Sequence, residues 1–287
     1  MYLLKPRCRL SVVIPTSDDD HRLGLALEGY AAQTFRDFEV HIVNDGGSPA
    51  TAELVDRFRN RLDIYYHYHN APGRYHPASA RNLGIAQSCG LRTVLSDCDV
   101  IPCPNTLAEH DRYGSERVYV LGIRRRIPRV VTENIIIPQH HAGLLDTAQI
   151  HRYPWRGDQR MIEAHFYGAF KHLIKGEDLP DEVRSSFATY FGMESRQMPG
   201  NLWKAWLCWS FNVSFPGNDH RFNPGFDCNY GYEDLEFALR MIADGYRVVV
   251  NQRIVAYHLD HVPRAPESAK QNKLFRESLR QILERHR

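Results

Sequence analysis

The sequence predicts an α/β chain built on a mostly parallel sheet flanked by helices, and two observations predict it. Short β-branched apolar runs alternate with helix-patterned stretches through the N-terminal third, the order that produces parallel strands joined by crossover helices. Three of these runs end in polar clusters: Pro15-Thr16, Asn44-Asp45 and Asp97-Cys98-Asp99. In an open parallel sheet, such strand C-termini line the crevice where ligands bind.

Leu10-Ser11-Val12-Val13-Ile14 reads as the first buried strand, stopped at Pro15. Asp18-Asp19-Asp20 then caps a helix whose Leu23, Leu27 and Tyr30 recur on one face. Phe38–Val43 predicts the second strand, closing in the turn cluster Asn44-Asp45-Gly46-Gly47-Ser48. A helix over Ala52–Arg59, a strand over Ile64–His67 and a helix over Ala78–Ser88 follow, and the run Leu91–Ser96 leads into Asp97. From about Ile135 to Arg196 the pattern is less regular, with His140-His141, a turn at Trp155-Arg156-Gly157-Asp158 and a helix over Met161–Leu173. Trp203, Trp206 and Trp209 recur at a spacing that suits core packing by a helix better than a sugar-stacking platform. Phe211–Phe215 predicts a strand, and Leu235, Ala238, Leu239 and Ile242 place a helix behind Gly231-Tyr232-Glu233-Asp234. Strands over Arg247–Val250 and Ile254–Tyr257 end at His258-Leu259-Asp260-His261, and a charged helix with Phe275, Leu279 and Ile282 on one face closes the sequence.

The formal net charge of +2 gives no global electrostatic case for nucleic acid as a partner. The six Cys show no CxxC pair and no zinc-like paired spacing, so they read as reduced thiols of a cytoplasmic protein. No long apolar leader and no run approaching a membrane span is present, so neither a secretory signal nor a transmembrane helix is expected. The charged C-terminal helix is the segment able to touch an anionic membrane surface, although a solvated face is its default reading.

The acidic triplet carries the functional signal. Two carboxylates one residue apart cannot both be buried cheaply as anions. Exposed where a sheet opens, Asp97 and Asp99 can hold a hard divalent cation through oxygen, and a cation held so commonly bridges to diphosphate oxygens.

The order of motifs resembles glycosyltransferase family two, of the GT-A fold. Val12-Val13-Ile14-Pro15-Thr16 is similar to the family's opening strand, and Gln33–Val40 followed by Val43-Asn44-Asp45-Gly46 to its second signature. Ala80-Arg81-Asn82-Leu83-Gly84-Ile85-Ala86 precedes Ser96-Asp97-Cys98-Asp99 as in the family. Gly231-Tyr232-Glu233-Asp234-Leu235-Glu236 resembles the acidic acceptor-side motif of inverting members of the chondroitin-polymerase and β-1,4-galactosyltransferase types. The resemblance covers about residues 8–125 and 205–262. Ser17-Asp18 replaces the usual Tyr-Asn, Asn44-Asp45 the usual acidic pair, and Gly47 is an added glycine. Tyr232 stands where Trp or Gly is common.

The resemblance implies a single GT-A domain over residues 1–287, with a nucleotide-sugar half at 8–125, an acceptor and catalytic half at 126–262 and a terminal helix at 263–287. It implies a UDP-sugar donor and a divalent metal held by Asp99 and His258, with His261 and Asp260 as rivals to His258. Imidazole favours Mn²⁺ over Mg²⁺. Asp97 would face the ribose or a metal-bound water, Asp45 would accept from the uracil imino group, and Pro15 and Thr16 would meet base or ribose. Arg81 would approach the diphosphate or anchor the acidic triplet. Inversion requires a carboxylate to take the acceptor's proton; the pattern puts this on Asp234, with Glu233 on sugar hydroxyls. The helix dipole alone also favours an acidic pair at a helix start.

The acceptor is open among glycan, peptide, lipid-linked sugar and small metabolite. Two alternatives stand beside this reading: a retaining enzyme of the polypeptide N-acetylgalactosaminyltransferase type, and a nucleotide- or carbohydrate-binding protein without turnover. The absence of a glycine-rich phosphate loop before the sheet disfavours a nucleotidyltransferase.

Overall fold

The computed structural model describes residues 8–70, 76–158, 172–175, 177–181, 184–185, 202–227, 232–262, 280 and 284. Its organising element is a twisted sheet that begins with β1 (Cys8–Thr16), β2 (Phe38–Asp45), β3 (Ile64–His69) and β4 (Gly90–Leu95), all parallel. Every residue of β2 is buried, as expected of a parallel strand covered on both faces. Helices α1 (Asp20–Ala31), α2 (Ala50–Asp56) and α3 (Pro77–Gln87) make the crossovers.

Beyond β4 the sheet becomes mixed. The chain adds β5 (Val100–Pro102), α4 (Thr106–Asp111), β6 (Val118–Ile127), β7 (Arg156–Asp158), β8 (Val213–Pro216) and β9 (Arg247–Leu259). The strand order is β3-β2-β1-β4-β8-β6-β9-β5, with β7 paired to β6. Strand β8 runs antiparallel to both β4 and β6, and β6 is parallel to β9. The C-termini of β1, β2, β4 and β9 therefore share one edge, and the start of β8 joins them there.

Leu23, Leu27 and Tyr30 of α1 pack with Val12, Val40 and Val94 on one face of the sheet. On the other, Tyr119 and Phe215 pack with Trp203 of α7 (Leu202–Trp206) and Phe237 of α8 (Glu233–Ala243). Between β6 and β7, α5 (Arg129–Val131) and α6 (Ile137–His141) are joined by a π-helical turn over Thr132–Ile136. Gln33, fully buried, donates to the carbonyls of Gly29 and Cys103 and accepts from the Leu107 N–H. The glutamine of the second signature is thus a clamp between α1, the end of β5 and α4.

Helix α3 lies so close to β1 that a Cβ on Gly84 would meet Val13 Cγ1 at 2.5 Å and Val43 Cγ2 at 3.1 Å. Gly84→Ala is expected to lower Tm by a few degrees in calorimetry, because overpacking costs about 1–3 kcal/mol and outweighs the better helix propensity of alanine. An unchanged Tm would refute the close approach.

Several expectations need correction. Arg156–Asp158 is a strand on β6 rather than a turn: pairing to an open edge outweighs the local turn signal of Gly157. The strand foreseen over Phe211–Phe215 starts only at Val213. The two late strands are one continuous β9, whose polar Asn251-Gln252-Arg253 midsection falls at the register shift between two stretches paired to β6, Arg247–Val250 and Val255–Leu259. Of the three tryptophans, Trp203 is core, whereas Trp206 and Trp209 are half-buried at its margin. Of the helix expected over Met161–Leu173, only 172 and 173 are described, as helix. Of the terminal helix only 280 and 284 are described, as helix; Phe275, Leu279 and Ile282 lie outside the described residues. Among the described residues no helix is long and apolar enough to cross a membrane.

Candidate active site

The shared edge gathers three side-chain clusters. The first is built on Arg81, which α3 presents from its second turn. Among the described residues Asp227, far along the chain, caps α3: its carboxylate accepts from the N–H of Ala78 at 2.9 Å and of Ser79 at 3.3 Å, and from the Ser79 hydroxyl. The Arg81 guanidinium, 4% exposed, donates through Nη1 to Glu233 at 3.0 Å and through Nη2 to Asp97 at 3.1 Å. One buried cation thus joins the triplet after β4 to the acidic pair that opens α8. Arg81 anchors the triplet, one of its two expected positions.

Tyr232 leads into that pair with φ of 78°. A left-handed tyrosine is strained, and it turns the chain so that Glu233 and Asp234 enter α8 side by side. Its ring stacks on Trp206, with centroids 5.9 Å apart. Glu233 is buried, whereas Asp234 is half-buried and accepts from the Ser210 N–H at 3.3 Å. Burial first, then the neighbouring Asp234, raises Glu233 to about 7 against the pull of Arg81. Burial likewise raises Asp234, with Arg81 and the Ser210 N–H opposing. Asp97 is raised by burial, which Arg81 opposes and Asp99 reinforces.

The second cluster surrounds Asp99. Its Oδ2 lies 3.3 Å from His258 Nε2 and 3.0 Å from His261 Nε2. Asp99 Oδ1 is buried and has no hydrogen-bond partner. Burial alone would raise the Asp99 carboxyl, but the charges and hydrogen bonds of His258 and His261 hold it well below the usual carboxylate range. Hydrogen bonding to Asp99 raises His261 in turn, against the effect of burial. His258 Nδ1 is held by Asp260 at 3.0 Å, and Asp260 by Arg126 Nε at 2.9 Å. His261 Nδ1 donates to the Val262 carbonyl at 2.7 Å. Both rings therefore present Nε2 to the same carboxylate, the arrangement in which an outer carboxylate or carbonyl fixes a metal-binding imidazole. The three ligand atoms lie within 4.8 Å of one another. Two imidazoles, a carboxylate and an orphaned buried oxygen fit a divalent cation.

Sequence reasoning treated His258, His261 and Asp260 as rivals; the fold brings both imidazoles to Asp99 and sets Asp260 behind His258. Arg126 and the bridging role of Arg81 were missed. Arg126 lies opposite His258 in the β6–β9 register, a pairing that sequence order does not reveal.

The third cluster lies at the ends of β1 and β2. Asp45 is buried, its Oδ1 2.7 Å from His69 Nδ1 and its Oδ2 accepting from the His76 N–H at 2.6 Å. Asn44 locks the turn, with Oδ1 accepting from Gly47 N–H at 2.8 Å and Nδ2 donating to Ser48 O at 2.9 Å. The added glycine follows from this: a Cβ at Gly47 would sit 2.7 Å from Asn44 Oδ1 and 2.8 Å from Asp18 N. Pro15 and Thr16 pair with Val43 and Asn44, and the Thr16 hydroxyl is buried without a partner. Cys98 packs among the apolar residues beneath α1, away from the acidic edge.

Comparison with known proteins identifies the fold and the family. The structure superposes on S. aureus TarS 1-349 in complex with UDP-GlcNAc with a TM-score of 0.63, covering 96% of this chain and 65% of that one at 17% identity. It is also similar to the mannosyltransferase PcManGT from Pyrobaculum calidifontis in complex with GDP-Man and Mn²⁺, with a TM-score of 0.51, covering 97% of this chain and 71% of that one at 14% identity. The fold is GT-A. In sequence it is 28% identical to validoxylamine A glucosyltransferase of Streptomyces hygroscopicus subsp. limoneus over 258 residues, 85% of this chain and 50% of the relative. The sequence model for glycosyl transferase family 2 matches residues 11–179, and the chain belongs to that family. It spans about half the length of the validoxylamine A glucosyltransferases it matches.

Proposed function

We propose that this chain is a metal-dependent glycosyltransferase domain that moves a sugar from a UDP-sugar to an acceptor nucleophile with inversion. Residues 8–125 form its donor half and 126–262 its acceptor half within a single domain. The observation that carries the reading is that Arg81 joins Asp97 to Glu233 beside the cluster of Asp99, His258 and His261. Candidate cation ligands and a partly exposed carboxylate at one sheet edge are what this reading rests on.

Asp99, His258 and His261 would hold the divalent ion, for which the imidazoles favour Mn²⁺ over Mg²⁺. When bound, the ion supplies charge neutralisation for the diphosphate and for the departing nucleotide. The Thr16 hydroxyl and the backbone at Pro15 meet base or ribose. Asp45 keeps acceptor capacity beyond its two present hydrogen bonds and accepts a hydrogen bond from the uracil imino N–H. Asp97 is oriented by Arg81 toward the ribose. Glu233, tied to Arg81, sets the position of Asp234 and meets sugar hydroxyls. Asp234, the less buried of the pair, takes the acceptor's proton as the new bond to the anomeric carbon forms. Trp206 and Tyr232 form an aromatic wall beside it for an acceptor, whether glycan, peptide, lipid-linked sugar or small metabolite.

The test is a panel of UDP-, GDP- and dTDP-sugars with and without Mn²⁺, read by thermal shift, hydrolysis and product anomer. A UDP-sugar at about a hundred times its Kd should stabilise the chain by about 2.7 kcal/mol, with Mn²⁺ required, and the product should carry the inverted anomer. Selective binding of GDP- or dTDP-sugars would remove the uracil role of Asp45. Retention of the anomer would remove Asp234 as the base.

A further inference from the structure

The opposite edge of the sheet holds a second set of ligand atoms. Cys8 at the start of β1, Glu39 at the start of β2 and Cys89 in the turn before β4 bring two thiols and a carboxylate oxygen within 4.8 Å of one another. Glu39 lies six residues before Asp45 on β2, so this edge is about 20 Å from the donor edge at roughly 3.3 Å per residue.

We propose that Cys8, Glu39 and Cys89 form a binding site for one thiophilic divalent cation, with Zn²⁺ the ion their chemistry suits. Two sulfurs select against Mg²⁺ and Ca²⁺, which take oxygen ligands. Mixed sulfur and oxygen or nitrogen donors suit Zn²⁺.

The surroundings support a ligand rather than a plain buried carboxylate. Glu39 accepts from the Ser11 hydroxyl at 2.6 Å, the Cys89 N–H at 2.7 Å and the Cys89 thiol at 3.0 Å. Those bonds account for a structural glutamate; the Cys8 thiol, which donates to the Leu10 carbonyl at 3.3 Å, stands within reach of the same carboxylate as a second sulfur. His41, two residues on and 2% exposed, has its Nε2 3.0 Å from Glu39 Oε1 without an aligned hydrogen bond. His41 Nδ1 is held by His67 Nε2 at 3.0 Å, so the ring is fixed with its other nitrogen toward the cluster, as outer contacts fix metal-binding histidines. His41 offers a further nitrogen beside the carboxylate. Burial, then Glu39 and Cys89, push the Cys8 thiol up to about 12. A bound dication reverses the sign of that environment, and a coordinating thiol gives up its proton. Each sulfur–metal bond forms as one thiol proton leaves to solvent, with no change of oxidation state. The ion would tie the starts of β1 and β2 to the turn before β4.

The test uses the full chain, stripped of metal and held reduced, titrated with Co²⁺. The expected result is a sulfur-to-cobalt charge-transfer band that saturates at one equivalent, is displaced by Zn²⁺, and is lost in Cys8→Ser and Cys89→Ser. His258→Ala, at the other edge, should retain the band, since that cluster holds no sulfur. Alkylation mapped by mass spectrometry on the unaltered chain should show Cys8 and Cys89 protected by Zn²⁺, which decides the matter if a serine variant fails to fold. Absence of the band in folded, reduced protein, its persistence in both serine variants, or a Cys8–Cys89 disulfide that yields no cobalt site after reduction would each overturn the proposal.

Discussion

Asp234→Asn should lower kcat for transfer by about 10²–10⁴-fold, the usual worth of a positioned general base, while UDP affinity stays unchanged. At about 1.4 kcal/mol per factor of ten, that is a loss of roughly 3–5 kcal/mol of transition-state stabilisation. The substitution is nearly isosteric, and the amide oxygen can still accept from the Ser210 N–H that now holds Asp234 at 3.3 Å. The geometry therefore survives while basicity is lost. Two competitors for the role can be weighed. Glu233 is raised to about 7, which suits a base, but it is buried and its Oε1 is committed to Arg81. Asp97 is also tied to Arg81. Asp234 alone of the three has no ion pair to Arg81 within contact distance among the described residues. Measuring kcat, KM and UDP binding for Asp234→Asn and Glu233→Gln in parallel assigns the base. Transfer by Asp234→Asn within about tenfold of the parent, a loss of only 1.4 kcal/mol, would move the role to Glu233.

Much of this edge was legible before any coordinates. Strand-and-turn patterning located Thr16, Asp45 and Asp99 at strand ends because a parallel, doubly covered strand leaves an unambiguous apolar run. The acidic pair and His258 came through resemblance rather than periodicity. What could not be read is of one kind: pairings between residues far apart in sequence. Arg81 meets Glu233 across 152 positions and Arg126 meets Asp260 across 134. No local propensity encodes either. The same limit explains β9, whose polar centre interrupts the apolar signal while the stretches on both sides of it pair to β6. It also explains why six scattered cysteines gave no metal spacing, although the sheet brings two of them to one carboxylate.

Removing the cation at the middle of the edge should have the largest effect on stability. Arg81→Met leaves Glu233 and Asp97 facing each other without their shared partner, and breaking a buried pair by removing one member costs about 3–5 kcal/mol. At a few degrees per kcal/mol for a chain of this size, Tm at pH 8 should fall by roughly 10 °C. The loss should depend on pH in a definite sense. Burial and Asp234 raise Glu233 from 4.5 to about 7 even with Arg81 present. Between those values the folded chain holds a proton that the unfolded chain has released, so this group's contribution to stability falls as pH rises through the window, by roughly 3 kcal/mol in all. Without Arg81 the Glu233 carboxyl should be raised further. The variant should then be close to the parent near pH 5, where Glu233 is neutral in both, and diverge as pH increases. Glu233→Gln should behave oppositely: it keeps an acceptor for Arg81, removes the charge that burial disfavours, and is expected to be more stable than the parent at pH 8 while losing activity. A competing account gives Arg81 a packing role, since its guanidinium also lies 5.7 Å from the Phe222 ring centroid, a contact worth about 0.5–2 kcal/mol. Packing does not titrate. Thermal unfolding of the three proteins from pH 5 to pH 8 separates the accounts, because a pH-independent loss in Arg81→Met would assign the residue to packing and detach the acidic pair from the triplet.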